Sequence, residues 1–168
     1  MAAFPDPLRI LDLAQTRAAS VIASIRDEQL DLATPCDEWS VRDVINKLVA
    51  STLLFASFGR REAGDPNLDL IHPKDLIGTD PLGTFSQAAT LCRKAWREIG
   101  ALDGMATSTI GEAKARSVLN ARIFDTTVLS WDISSACGLP CLIDEEHATY
   151  VLRVAQALVP AVRSHNKE

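Results

Sequence analysis

The sequence has no cluster of basic residues, no long apolar run and no second cysteine pair to complete a zinc-ribbon spacing. Each absence removes a class of function. A chain of net charge −5 and pI about 5.2 without a basic patch is poorly suited to gripping a phosphate backbone. The pair Arg60-Arg61 is followed at once by Glu62 and reads as a solvated helix end. No apolar stretch approaches the ~20 residues of a membrane span. No secretory leader is expected, because Pro5, Asp6 and Pro7 stand where a basic start and an apolar core would be. Cys36, Cys92, Cys137 and Cys141 are therefore expected to be reduced thiols in a cytoplasmic protein. Repeats and low-complexity tracts are also missing, and no run alternates apolar and polar residues as a strand would.

What is present is helical periodicity. The 168 residues suit a single domain over 1–168. Apolar residues recur at steps of three and four from Pro7 to Ile25, with Asp6 as N-cap. A loop over Leu32 to Trp39 leads to Ser40, which with Asp43 resembles a capping box for a second helix reaching Phe58. Residues 64–83 are punctuated by Gly and Pro and read as a long connection with one short helical turn near Pro73 to Leu76. A third helix follows from Pro81 or Thr84, its inner face including Leu91, Cys92, Trp96 and Ile99. A polar loop over Asp103 to Gly111 precedes a fourth helix from Glu112 to Cys137. Asp144 caps a last helix that Pro160 kinks or ends, and Ser164 to Glu168 reads as a polar tail. The expected architecture is all-α: a four-helix bundle with a long crossover and an additional C-terminal helix.

Two segments carry a family resemblance. One is Thr34-Pro35-Cys36-Asp37-Glu38-Trp39-Ser40-Val41-Arg42-Asp43-Val44. The other runs from Asp125 to Pro140, with Ser130-Trp131-Asp132-Ile133-Ser134-Ser135-Ala136-Cys137-Gly138-Leu139-Pro140 as its most characteristic part. Together they resemble the actinobacterial proteins related to the N-terminal domain of mycothiol-dependent maleylpyruvate isomerase, within the wider DinB superfamily. The isomerase carries a further C-terminal domain, for which this chain is expected to be too short. The resemblance implies a divalent metal, zinc or nickel, used with a low-molecular-weight thiol. It implies three ligands: a histidine on the second helix, then an acid and a histidine four residues later on the fourth, where i and i+4 share a face. In this sequence those positions fall on Lys47, Asp125 and Leu129. A charged lysine has no free lone pair and leucine has no donor atom, so no metal cofactor is expected.

The resemblance places Lys47 and Asp125 facing each other inside the bundle. They form either a structural ion pair or a repurposed site. In such a site Lys47 acts as base or nucleophile, or stays charged and holds an anion. Asp132 shares the face of Asp125, and Arg122 stands three residues before it. Lys47, Asp125 and Asp132 are the candidate catalytic residues, with Arg122, Trp131 and Leu129 as candidate substrate contacts. The ordinary alternatives stay open: Arg122 reaching solvent, Asp132 capping a chain end, and Trp39, Trp96 and Trp131 packing in the core or at its rim. Cys36 reads as a packed small residue, and His72, His147 and His165 as surface residues. Function is then a metal-independent small-molecule enzyme of the isomerase, cyclase or transferase kind, in secondary metabolism. The alternatives are a non-catalytic binding module, or a metal-dependent thiol transferase that recruits His72 or His147. A small molecule is the expected partner, with no nucleic acid or membrane; a homodimer is compatible.

Overall fold

The computed structural model describes residues 5–165. Its elements in order are α1 (Pro7–Ala23), a 3-10 turn (Asp27–Gln29), α2 (Val41–Gly59), α3 (Pro81–Arg97), β1 (Met105–Ser108), β2 (Gly111–Lys114), α4 (Ala115–Cys137) and α5 (Glu145–His165). The helix starts follow local chemistry. Asp6 accepts from the Leu8 amide at 3.1 Å, with Pro7 opening α1. Ser40 and Asp43 form a reciprocal capping box: the Asp43 carboxylate accepts the Ser40 amide at 2.9 Å, and the Ser40 hydroxyl accepts the Asp43 amide at 3.3 Å. Asp144 accepts the His147 amide at 2.9 Å at the start of α5. Gly138, at φ 64°, ends α4 in the left-handed region, where the Leu139 amide reaches back to the Ser134 carbonyl at 2.8 Å.

Helices α1 and α2 each pack against both α3 and α4, and α5 lies on α4 with a lighter contact to α1. At Gly59 the backbone of α2 approaches α3 so closely that a Cβ would meet Ala95 at 3.1 Å and the Trp96 ring at 3.2 Å. The Trp96 indole donates to the Phe55 carbonyl at 3.0 Å across the same contact. The core divides into two apolar clusters. One gathers Ile10, Leu11, Phe55, Trp96, Leu119 and Ile123; the other gathers Val44, Ile45, Leu48, Phe85, Leu129 and Ile133. Among the described residues no helix is long and apolar enough to cross a membrane.

Several expectations change. The polar loop before α4 is an antiparallel hairpin, β1 paired with β2 from Met105↔Lys114 to Ser108↔Gly111, so α4 begins at Ala115 and not Glu112. Four-residue strands are too short to leave a periodic signature. The connection over 60–80 has no helical turn at Pro73 to Leu76; it is pinned by Asn46, whose side-chain oxygen accepts the amides of Leu76 at 2.7 Å and Ile77 at 3.1 Å. Leu91 and Ile99 are exposed, Ile99 because α3 stops at Arg97 and the chain turns out at Glu98. Pro160 does not end α5, which takes in Ser164 and His165 of the expected tail; residues 166–168 and the His165 side chain lie outside the described residues. Arg61 is more than a solvated end: its guanidinium donates to the Ala101 and Asp103 carbonyls, at 3.0 and 2.5 Å, tying the end of α2 to the loop before β1.

His147 is buried rather than superficial. Arg17 donates to its Nδ1 and also to Asp144, which leaves Nε2 to donate to the Thr127 hydroxyl at 2.9 Å. This neutral imidazole joins α5 to α1 and α4. Burial first, and the neighbouring Arg17 charge second, lower its pKa from 6.5 to about 4. Between those values the unfolded chain binds a proton that the folded one refuses. The associated stability is complete above pH 6.5 and is lost as pH falls toward 4. Thermal melts across this window should show a falling Tm in the wild type and a flatter profile in His147→Gln.

Candidate functional site

Helix α4 is the polar centre of the molecule. Its buried face carries Arg122, Thr126, Thr127, Ser130, Asp132 and Ser134 among apolar residues. The hydroxyls satisfy themselves by donating one turn back: Thr126 to the Arg122 carbonyl and Thr127 to that of Ile123, each at 2.8 Å, with Ser130 and Ser134 doing likewise. Arg122 has no such local solution. It is fully buried, so it does not reach solvent. Its Nε donates to the Thr126 hydroxyl at 2.8 Å, and Nη1 donates to Ser51 and to Asp125 Oδ2, the latter at 3.0 Å. The Phe55 ring covers the guanidinium at 5.6 Å. Nη2 has no hydrogen-bond partner among the described residues.

Asp125, 32% exposed, carries this buried charge out to the wall of a cleft of about 540 Å³. The cleft lies between α2, α4 and α5, closed at its sides by Leu70 and Ile71 of the crossover and by the hairpin turn at Ser108 to Ile110. Lys47 and Ser51 from α2 share its polar end with Asp125; Phe55, Val118, Phe124, Val154 and Leu158 supply apolar wall. The Lys47 ammonium sits 4.6 Å over the Trp39 ring. Behind it, the Cys36 thiol donates to Asp132 Oδ2 at 3.2 Å. Burial raises the Asp132 carboxyl pKa, while the Cys36 hydrogen bond and the Lys47 charge pull it back. Burial and then Asp132 push the Cys36 thiol up, which keeps it protonated rather than nucleophilic.

The six residues singled out from the sequence are therefore distributed unevenly. Lys47 and Asp125 share the cleft wall, but the ion-pair partner of Asp125 is Arg122 and not Lys47. The reason is reach: Arg122 lies one turn away on the same helix. Asp132 is buried beside Cys36 and caps no chain end. Leu129 is packed in the second apolar cluster, and Trp131 is half-exposed beside Cys141 and His147, so neither lines the cleft. Ser51 was missed, although it lies four residues after Lys47 on the same face of α2.

The positions that the family resemblance assigns to a metal do not fit one. Lys47 and Leu129 offer no ligand, Asp125 is engaged by Arg122, and among the described residues no three His, Cys, Asp or Glu side chains cluster for an ion.

The class that this mostly helical fold with its small hairpin fits is DinB-like, and the family model makes the assignment. Residues 11–134 match the family model of the mycothiol maleylpyruvate isomerase N-terminal domain, and the chain belongs to that family. Among solved structures it is similar to a mutant of the mycothiol-dependent maleylpyruvate isomerase, with a TM-score of 0.68 at 12% identity. That match covers 88% of this chain and 65% of the isomerase chain, and speaks for the fold alone. Two uncharacterised proteins from two strains of Mycobacterium tuberculosis are each 28% identical over 163 residues, covering 96% of this chain and 85% of theirs.

The burial asymmetry of the Arg122–Asp125 pair sets an order of stabilities. Asp125→Ala strands a buried cation and should cost about 3–5 kcal/mol. Arg122→Met keeps much of the volume and leaves a carboxylate that can hydrate, so denaturant titration should find it the less damaging change. The double variant Arg122→Met with Asp125→Asn should be more stable than Asp125→Ala alone.

Proposed function

We propose that this protein is a small-molecule enzyme of the isomerase kind that works without a divalent metal, with Lys47 and Asp125 as its working groups. The observation that carries the reading is that an ammonium and an oriented carboxylate both line one large cleft. Family membership supports the isomerase class, and the donor set at the family's metal positions supports metal independence. In this reading Lys47 binds an anionic group of the substrate and stabilises negative charge as it develops on oxygen. Trp39 limits where the ammonium can go. Asp125, fixed by Arg122, accepts a hydrogen bond from the substrate and orients it. A low-molecular-weight thiol, if taken up at the polar end of the cleft beside Lys47 and Ser51, would supply the nucleophile that the chain's own residues do not. The reading includes the DinB-type four-helix bundle, a small molecule as partner and a cytoplasmic setting.

A second reading, a binding module without chemistry, is favoured by one feature: among the described residues no histidine, cysteine or tyrosine lines the cleft. Maleylpyruvate isomerisation in the presence of a low-molecular-weight thiol separates the two. Turnover is expected to survive exhaustive chelation, and to fall roughly 100-fold in Lys47→Ala. Asp125→Asn, which keeps an oxygen for Arg122, should fold and lose turnover as well. Activity that appears only on adding zinc or nickel would refute the metal-free reading. Absence of turnover would leave the binding module.

A further inference from the structure

The cleft is much larger than its charged end. Its volume of about 540 Å³ falls in the range that takes a drug-sized ligand. Beyond Lys47, Ser51 and Asp125 the walls are dominated by apolar side chains such as Ile71, Ile110, Val118, Phe124, Val154 and Leu158. The two charges at its polar end are not equivalent. Asp125 is neutralised by Arg122 at 3.0 Å, whereas no described carboxylate lies within 4.0 Å of the Lys47 ammonium, which rests on the Trp39 ring. Asp132 acts on Lys47 only through space and is engaged by Cys36. With Arg122 and Asp125 cancelling, and with Asp132 outside the cleft lining and engaged by Cys36, the Lys47 ammonium is the cation that faces a predominantly apolar chamber.

We infer that the cleft takes an amphipathic monoanion, its carboxylate on Lys47 and its aliphatic or aromatic body along α4 and α5. The inference rests on the proposed role of Lys47 as anion-binding group, and adds that the ligand carries a substantial apolar body. A small dicarboxylate would occupy the polar end and leave the apolar walls wet. A neutral apolar molecule would desolvate Lys47 without compensating it. A cation would meet like charge.

Isothermal titration with octanoate, 1-octanol and maleate tests each component. Octanoate should bind roughly tenfold or more tighter than either of the others, equivalent to ~1.4 kcal/mol. Lys47→Gln should bring octanoate down to the level of octanol, and Ala157→Trp, at an exposed wall position on α5, should abolish binding of both. Octanol binding as tightly as octanoate, maleate binding more tightly, or an unchanged preference in Lys47→Gln would each overturn the inference. Turnover of maleylpyruvate without octanoate binding would end this inference and leave the proposed enzyme standing. Octanoate binding without turnover would do the reverse.

Discussion

The buried guanidinium of Arg122 is the constraint around which the rest of the molecule is arranged. It lies in a polar seam between the two apolar clusters, with Ser51 on α2 and Thr126 and Asp125 on α4 around it. Taking such a charge out of water is expensive, and an ion pair alone seldom offsets the cost. Here Nε and Nη1 exchange water for three fixed acceptors and the ring of Phe55 covers the group, while Nη2 has no partner among the described residues. The consequence for the site is geometric. A carboxylate tied at 3.0 Å to an immobile partner is itself held, and Asp125 presents its remaining surface to the cleft in one orientation.

The same arrangement takes up the positions that the family resemblance assigns to a metal. At the three implied ligand positions the chain places a cation, a carboxylate and an aliphatic side chain, and each has found a different partner. Lys47 lies on Trp39, Asp125 binds Arg122, and Leu129 has joined the apolar core. A permanent internal cation now stands beside the acid. The charges in this polar interior are those of side chains, Arg122 and Asp125.

What could be read from the sequence follows from the range of the interactions. The caps at Asp6, Ser40 and Asp144 and the stop at Gly138 depend on neighbours within a few residues, and they stand where the pattern put them. The i, i+3 relation of Arg122 to Asp125 is equally local, yet it was outweighed by the expectation that the acid would face Lys47. Periodicity tells which residues share a face, not which of two cations on converging faces will reach the acid. The hairpin lacked the length to register, and Leu91 fell on the predicted face because a broad apolar stripe overestimates what is covered. The burial of His147 was out of reach altogether: Arg17 is 130 residues away and Thr127 is on another helix.

The cysteines narrow the chemistry further. Cys36 is near the site but held as a thiol by burial and by the carboxylate of Asp132. Burial pushes Cys92 to about 11 and raises Cys137, and Cys141 lies beside Trp131 on the small pocket near His147. None of the four lines the cleft. A nucleophilic thiol at Lys47 would therefore have to arrive with a small molecule. What the chain itself places on the cleft wall is an ammonium, Lys47, and a carboxylate held by Arg122, Asp125. The lack of a cleft thiol fits membership of a family named for a mycothiol-dependent isomerase.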